Sequence, residues 1–407
     1  MQLRYNFRLY PTLVQRNALA RAFGSARTVF NDGLHARQEA RANGLPYISD
    51  GDLSKRVITQ AKATSERSWL GEVSAVVLQQ ALADLNVAYR NFFNSLSGKR
   101  KGRRVAPPRF KSRKDNRQAI RFTKNARFAL TPGGSLRLPK IGDVPVRWSR
   151  VLPSEPSSVT VIKDSAGRYF ASFVVQTTDE KLPDADTEIG IDLGLKHFAV
   201  LSDGSKVANP RILRRAAKKL RKAQKALSRK EKDSANRQKA TRAVARAHAR
   251  ATDTRRDFAH KLSTALIRDN QAVYVEDLPV SGLARTKLAK SVHDAGWAQF
   301  VGMLEYKAKR FGRTFAKINR WFPSSKRCSA CGTVIERMPL HVRSWTCTCG
   351  ATHDRDVNAA INILAAGQAD RLNDCGAQVR PGHVLAPRRE AVTHPTPYMR
   401  QAGLSAL

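Results

Sequence analysis

Acidic residues are scarce in this sequence, cysteines are few, and long apolar runs are missing. Lys and Arg number 73 against 33 Asp and Glu, a formal charge of +40 on 407 residues. A chain this basic repels itself unless a polyanion neutralises it, so nucleic acid is the expected partner. A membrane surface is the rival polyanion. Against it, no apolar run reaches about eighteen residues, and MQLRYNFRLYP has neither the apolar core nor the small-residue cleavage site of a signal peptide. The expectation is a cytoplasmic, nucleoid-associated protein with no membrane partner. The length suffices for two or three domains with their own cores.

Four of the five cysteines fall in one stretch, as Cys328-x2-Cys331, fifteen residues, then Cys347-x-Cys349. Clustered chelating pairs at this spacing suit a structural zinc, because a four-sulfur shell leaves no coordination position open for chemistry. The second pair has one intervening residue where two are usual, so its chelate is tighter and His341 or His353 could take the fourth position. Cys375 has no assigned role. Downstream, Asp354-Arg355-Asp356-Val357-Asn358 opens a helical run that is expected to end before Gly367, read as a C′ glycine. Taken alone, an aspartate there reads as an N-cap.

Along the chain, Leu3 to Leu9 alternate as a strand stopped by Pro11, and Thr12 caps a helix bearing Leu19, Phe23 and Phe30 on one face. Further helices over Asp52 to Thr64 and Ser74 to Ser95 make a helical lobe inserted after the first strand. A Gly/Pro-containing basic loop from Gly98 then carries Arg109, Lys111 and Arg113 as candidates to grip a nucleic-acid backbone, with Phe110, Phe122 and Phe128 able to stack on bases. Short strands at Ala119 to Phe122, Ser135 to Leu138, Ser157 to Lys163 and Arg168 to Thr177 predict a small β-barrel or sandwich, into which the first strand could pair. Past a linker at Pro183 to Thr187, Ile189-Gly190-Ile191-Asp192-Leu193 sets a carboxylate in an apolar strand, where it needs a partner. Arg211 to Arg256 hold eighteen Lys or Arg against three acids. Two basic helices joined near Asp233 to Asn236 are expected, with Arg214, Lys218 and Lys222 on a phosphate-tracking surface. Phe258 to Leu266 continues helical, Gln271 to Leu278 reads as a second apolar strand ending in the carboxylate of Glu276, and Trp297 to Phe311 reads as a core helix.

Strands bearing Asp192 and Glu276 and a helix starting near Asp356 place acids at three points in a chain of charge +40. Gathering them makes sense if divalent cations lie between, and oxygen-only ligands select magnesium, with manganese as the substitute. Two such ions about 4 Å apart can drive in-line hydrolysis of a phosphodiester. The pieces IGIDLGLKHFAV, VYVEDL, FPSSKRCSACG and CGATHDRDVNAAINI resemble the RuvC-type nuclease half of the TnpB family, transposon-encoded proteins similar to type V CRISPR effector nucleases. RLYPTLVQRNALARAFGSARTVFN and PPRFKSRKDNRQAIRFT are similar to the same family, so the likeness spans roughly residues 1 to 366.

That resemblance implies a multidomain α+β protein. It would hold an RNase H-like (RuvC) α/β nuclease domain with an inserted zinc ribbon, an N-terminal wedge β-barrel and a helical recognition lobe. The implied boundaries are 1–10 and 105–182 for the wedge, 11–104 for the lobe, 183–327 and 351–367 for the nuclease domain, 328–350 for the ribbon, and a mobile tail over 368–407. It implies an RNA-guided endonuclease that cuts double-stranded DNA beside a short motif. The guide RNA would derive from the transposon end, with one protein chain expected per RNA. Asp192, Glu276 and Asp356 match the three acidic motifs, with Asp354 the runner-up to Asp356, and the four cysteines match the ribbon. Tyr47 and Gln79 align with residues that touch the adjacent motif. The alternatives are a nuclease-inactive RNA-guided repressor, a strand-transferring transposase, and a ribonuclease or resolvase that cuts without a guide.

Overall fold

The computed structural model describes residues 1–374 apart from Asn116 and Leu340, and Cys375 with the rest of the predicted tail lies outside them. The chain divides into two compact units, one of 1–178 with 222–249 and one of 179–221 with the residues from 250 onward. Among the described residues no helix is long and apolar enough to cross a membrane.

In the first unit the sequence alternation of β1 (Gln2–Leu9) turns Tyr5, Phe7 and Leu9 inward. Thr12 then opens α1 (Leu13–Ala42) with a reciprocal cap: its hydroxyl accepts from Gln15 N, and the Gln15 side chain accepts from Thr12 N. After α2 (Asp50–Ser54) and tighter and wider helical turns to Ala63, α3 (Ala75–Leu96) packs Leu78, Leu82 and Leu85 into the core that holds Leu19, Phe30 and Leu34 of α1. The strands are β2 (Gln118–Thr123), β3 (Ala129–Leu130), β4 (Ser135–Leu138), β5 (Gly142–Arg147), β6 (Ser158–Lys163) and β7 (Tyr169–Gln176). They form one mixed-order sheet, β2-β6-β7-β1-β5-β4-β3, antiparallel throughout, with β1 inside it against β7 and β5. Strand β5 was not legible in the sequence because Pro145 removes a ladder donor. Its carbonyl still accepts from Tyr10 N at 3.0 Å.

The second unit begins with β8 (Glu188–Asp192), β9 (His197–Leu201) and β10 (Lys206–Ala208), an antiparallel meander. Two basic helices follow, α4 (Ile212–Ser228) and α5 (Ala235–Asp269), joined across Asp233, which adopts φ 66°; of these, residues 222–249 count with the first unit. The carboxylate of Asp294 caps α4 by accepting from Leu213 N and Arg214 N. The helical continuation expected over 258–266 is present: α5 runs through it to Asp269, since no breaker interrupts the sequence there. Next come β11 (Ala272–Glu276), α6 (Val280–Leu283), α7 (Ala289–Ala295), α8 (Trp297–Phe311), β12 (Thr314–Ile318), the hairpin β13 (Ser344–Thr346) and β14 (Thr352–Asp354), and α9 (Arg355–Asp374).

The five-stranded sheet has the order β10-β9-β8-β11-β12, with β8, β11 and β12 parallel. Both faces of β8 and β11 are covered, so they read as unbroken apolar runs. Val273 and Val275 face the cluster of Phe300 and Leu304, while Ala272 and Tyr274 face Ile363 of α9. Buried Lys307 ties α8 to α5, donating to His260 O, Ser263 Oγ and Thr264 Oγ1.

One expectation fails on α9. The helix does not stop before Gly367 but continues to Asp374, so the stretch 368–374 assigned to a mobile tail is helical. A Cβ on Gly367 would lie 2.1 Å from Cδ1 of Tyr274, and the glycine therefore serves close packing on β11 instead of helix termination.

Candidate active site and metal centre

Two missing side chains set α9 on the sheet. Gly367 admits the ring of Tyr274, and Gly190 of β8 faces the helix so closely that a Cβ would meet Ala360 O at 2.2 Å and Leu364 N at 2.6 Å. Backbone-to-backbone approach at this point brings the first turn of α9 beside the C-terminal ends of β8 and β11. Those ends carry Asp192 and Glu276, and the helix's first turn carries Asp356.

The same helix fixes the segment leading to the cysteines. Asn358 and Asn362, one turn apart and buried, each donate to Ser324 O and Arg327 O, and Asn358 Oδ1 accepts from Ser329 N at 2.9 Å. Two asparagines at i and i+4 in an otherwise apolar run were a sequence signal for such a role, since buried amides need partners.

Asp192, Glu276 and Asp356 line one open cavity of about 510 Å³, together with Trp321, Arg343 and Arg355. Asp192 keeps some exposure at the cavity wall but is closely packed. Desolvation, then the charges of Asp356 and Glu276, push its carboxyl from 3.8 to about 7. Glu276 is raised as well, by burial and then by Asp277. Arg343 donates from Nη1 to Asp356 Oδ1 at 3.1 Å. Asp354 has a different role: its Oδ1 accepts from Asp356 N and Val357 N, which makes it the N-cap of α9, and its Oδ2 takes the Lys206 ammonium at 2.5 Å. Burial works to raise its pKa, but these partners outweigh that and hold it below the usual value. The cations Arg343, Arg355 and Lys326 and the indole of Trp321 in the cavity wall were not anticipated from the sequence, because nothing in their spacing ties them to the acids.

Cys328, Cys331, Cys347 and Cys349 gather their sulfurs within 4.8 Å of one another. Cys328 and Cys349 are 3.8 Å apart and Cys331 and Cys347 3.6 Å. A tetrahedral zinc with ordinary Zn–S bonds has sulfur edges of roughly 3.8 Å. Of the fourth ligands left open by the short second pair, Cys349 is the one within the set. His353 stands beside it, with Nε2 3.1 Å from Cys328 Sγ and its ring against Trp345, and His341 is exposed outside it. Hydrogen bonding with Thr333 draws Cys331 down to about 6. Cys349 accepts from Ala351 N–H, which favours its thiolate, yet the crowding sulfur of Cys331 prevails and pushes it up to about 11.

The candidate nucleic-acid residues divide. Arg109, Arg113, Gln79, Arg214, Lys218 and Lys222 are exposed. Tyr47 is exposed over half its surface, with the Arg37 guanidinium 4.3 Å from its ring centroid. Lys111 departs from the expectation of a free phosphate-gripping side chain. Its backbone is clamped by Asn31, its ammonium sits 3.9 Å from the Phe30 ring centroid, and burial lowers its pKa.

Family profiles match residues 172–287 ("Probable transposase"), 297–363 ("Cas12f1-like, TNB domain") and 1–45 ("Helix-turn-helix domain"). In this chain the last stretch holds one strand and one long helix. A Streptomyces pristinaespiralis protein named "Putative RNA-guided DNA endonuclease" is 44% identical over 410 residues, covering 99% of this chain and 98% of its own. "Putative RNA-guided DNA endonuclease InsQ" of Escherichia coli strain K12 is 33% identical over 402 residues, covering 94% and 96%. The fold also matches the protein in the structure titled "Cryo-EM structure of the Cas12f1-sgRNA-target DNA complex", with a TM-score of 0.53 over 89% of this chain and 98% of that one, at 12% identity.

Proposed function

This chain belongs to the TnpB family of transposon-encoded RNA-guided DNA endonucleases, and from that premise we propose that it cuts double-stranded DNA at a magnesium-dependent site built from Asp192, Glu276 and Asp356. The observation that carries this reading is the cavity they share, in which crowding with the other two acids helps push Asp192 to about 7. Carboxylates so placed favour a divalent cation, and an all-oxygen donor set fits magnesium or manganese. Bound there, such ions would acidify an attacking water and offset charge on the phosphodiester oxygens.

The chain's own groups do the rest. Lys206 and Asp354 hold the first turn of α9, so the backbone that carries Asp356 is fixed. Arg343, Arg355 and Lys326 supply donors to a phosphate in the cavity. On this reading the second unit is an RNase H-like (RuvC) nuclease, and the four thiolates hold a zinc that folds the ribbon over 328–350 and takes no part in the reaction. Residues 1–10 and 105–182 act as the wedge and 11–104 as the recognition lobe, with Tyr47 and Gln79 against the target-adjacent motif. Arg109, Arg113, Arg214, Lys218 and Lys222 track phosphates, while base pairing with a guide RNA from the transposon end reads the target.

The test is plasmid cleavage by the protein purified with its co-expressed RNA. Linear product should appear with magnesium and a matched target, and should vanish with chelator, with RNA-free protein or with a mismatched target. Binding without any breaks would replace this reading with a repressor, joined products with a strand transferase, and cutting without RNA with a guide-independent nuclease.

A further inference from the structure

Trp321 is 84% exposed, yet it lines the same cavity as the three acids. A single exposed aromatic is ordinary on a protein surface; what sets this one apart is that its ring stands at the cavity of the three acids on a well-held backbone, where it offers an apolar face to whatever occupies that cavity. The backbone is well held. Asn319 Oδ1 accepts from Trp321 N at 2.9 Å, Phe322 packs against the Tyr274 and Ile318 cluster, and Ser324 O is gripped by both buried asparagines. Among the described residues the indole itself has no ring, cation or hydrogen-bond partner. The surrounding wall offers Arg343, Arg355 and Lys326, which suits a polyanion and not an apolar protein surface or lipid tail.

We propose that Trp321 is a positioning residue whose indole stacks on an unpaired base flanking the phosphodiester held over Asp192, Glu276 and Asp356. The inference rests on the nuclease reading above and adds a requirement to it. A base inside a duplex has both faces covered by its neighbours, whereas a base in an unpaired strand can give one face to an aromatic ring. Stacking next to the cut fixes the register of the strand over the acids without reading its sequence.

The test uses the full chain loaded with its RNA and a matched target, in single-turnover cleavage at subsaturating and saturating concentrations. Trp321→Ala should slow cleavage about tenfold at subsaturating target, at the lower end of what base–aromatic stacking supplies, and Trp321→Phe should restore most of it. Single abasic sites walked along the cut strand should then reveal one position beside the cut where the wild type slows by the same factor and Trp321→Ala slows no further. In the loaded wild type, 2-aminopurine at that position should stay quenched while 2-aminopurine at the neighbouring unpaired positions of the same strand brightens, which needs no variant. Wild-type rates for Trp321→Ala, a defect in Trp321→Ala that persists unchanged at every abasic position, or unquenched 2-aminopurine would each overturn the proposal. Asp192→Ala run alongside separates the two readings. If it still cuts, the acid site is wrong; if it is dead while Trp321→Ala is normal, only the stacking role falls.

Discussion

The cysteine cluster and the acid cavity lie in the same unit and hang on the same helix, but they are assembled by different means. The four thiols come from twenty-two consecutive residues and already surround one point. The three carboxylates come from two strands and a helix as far apart in sequence as Asp192 and Asp356, and they meet only because α9 lies against the bare backbone of Gly190. A local site tolerates change elsewhere in the fold; a site built by packing does not.

Gly190→Ala should break this comparison most sharply. A methyl group 2.2 Å from Ala360 O cannot be accommodated by a side-chain shift, so α9 must lift from β8, at a cost of more than about 3 kcal/mol. Cleavage should fall at least a hundredfold while zinc content, measured by elemental analysis, stays near one per chain. Cys331→Ser should do the reverse, losing zinc and local protease resistance with a smaller loss of cutting, and equal zinc in variant and wild type would remove that ligand.

A smaller effect sharpens the electrostatic side. Because Asp192 is raised from 3.8 to about 7, the folded state keeps a proton that the unfolded state has lost between those values, so stability falls as pH rises through that window. The cost is absent below about pH 4 and complete above about pH 7, where it reaches roughly 4 kcal/mol without divalent ions. In chelator, Tm should drop from pH 5 to pH 8; Asp192→Asn should flatten that drop, and magnesium should raise Tm more at pH 8 than at pH 5. A wild-type slope unchanged by Asp192→Asn would assign the effect elsewhere.

What the sequence disclosed follows the same division. The thiol spacing, Asp192 in an apolar run and Glu276 at a strand end were readable because each breaks a local pattern. The alternation of β1 and the cap at Thr12 were readable for the same reason. The means of assembly was not. Gly367 looked like a helix stop because its packing partner, Tyr274, is ninety-three residues upstream, and the spacing of Asn358 and Asn362 marks them as amides needing partners without identifying those partners, which are backbone carbonyls. Trp321 and Arg343 acquire meaning only from the cavity they share.

The most direct measurement is guide-dependent cleavage in magnesium by Asp192→Ala, Glu276→Ala and Asp356→Ala, each purified with its RNA and assayed beside the wild type. All three should lose at least a thousandfold in rate with RNA and zinc retained in full. Any one of them cutting at the wild-type rate would contradict a single site made of three acids.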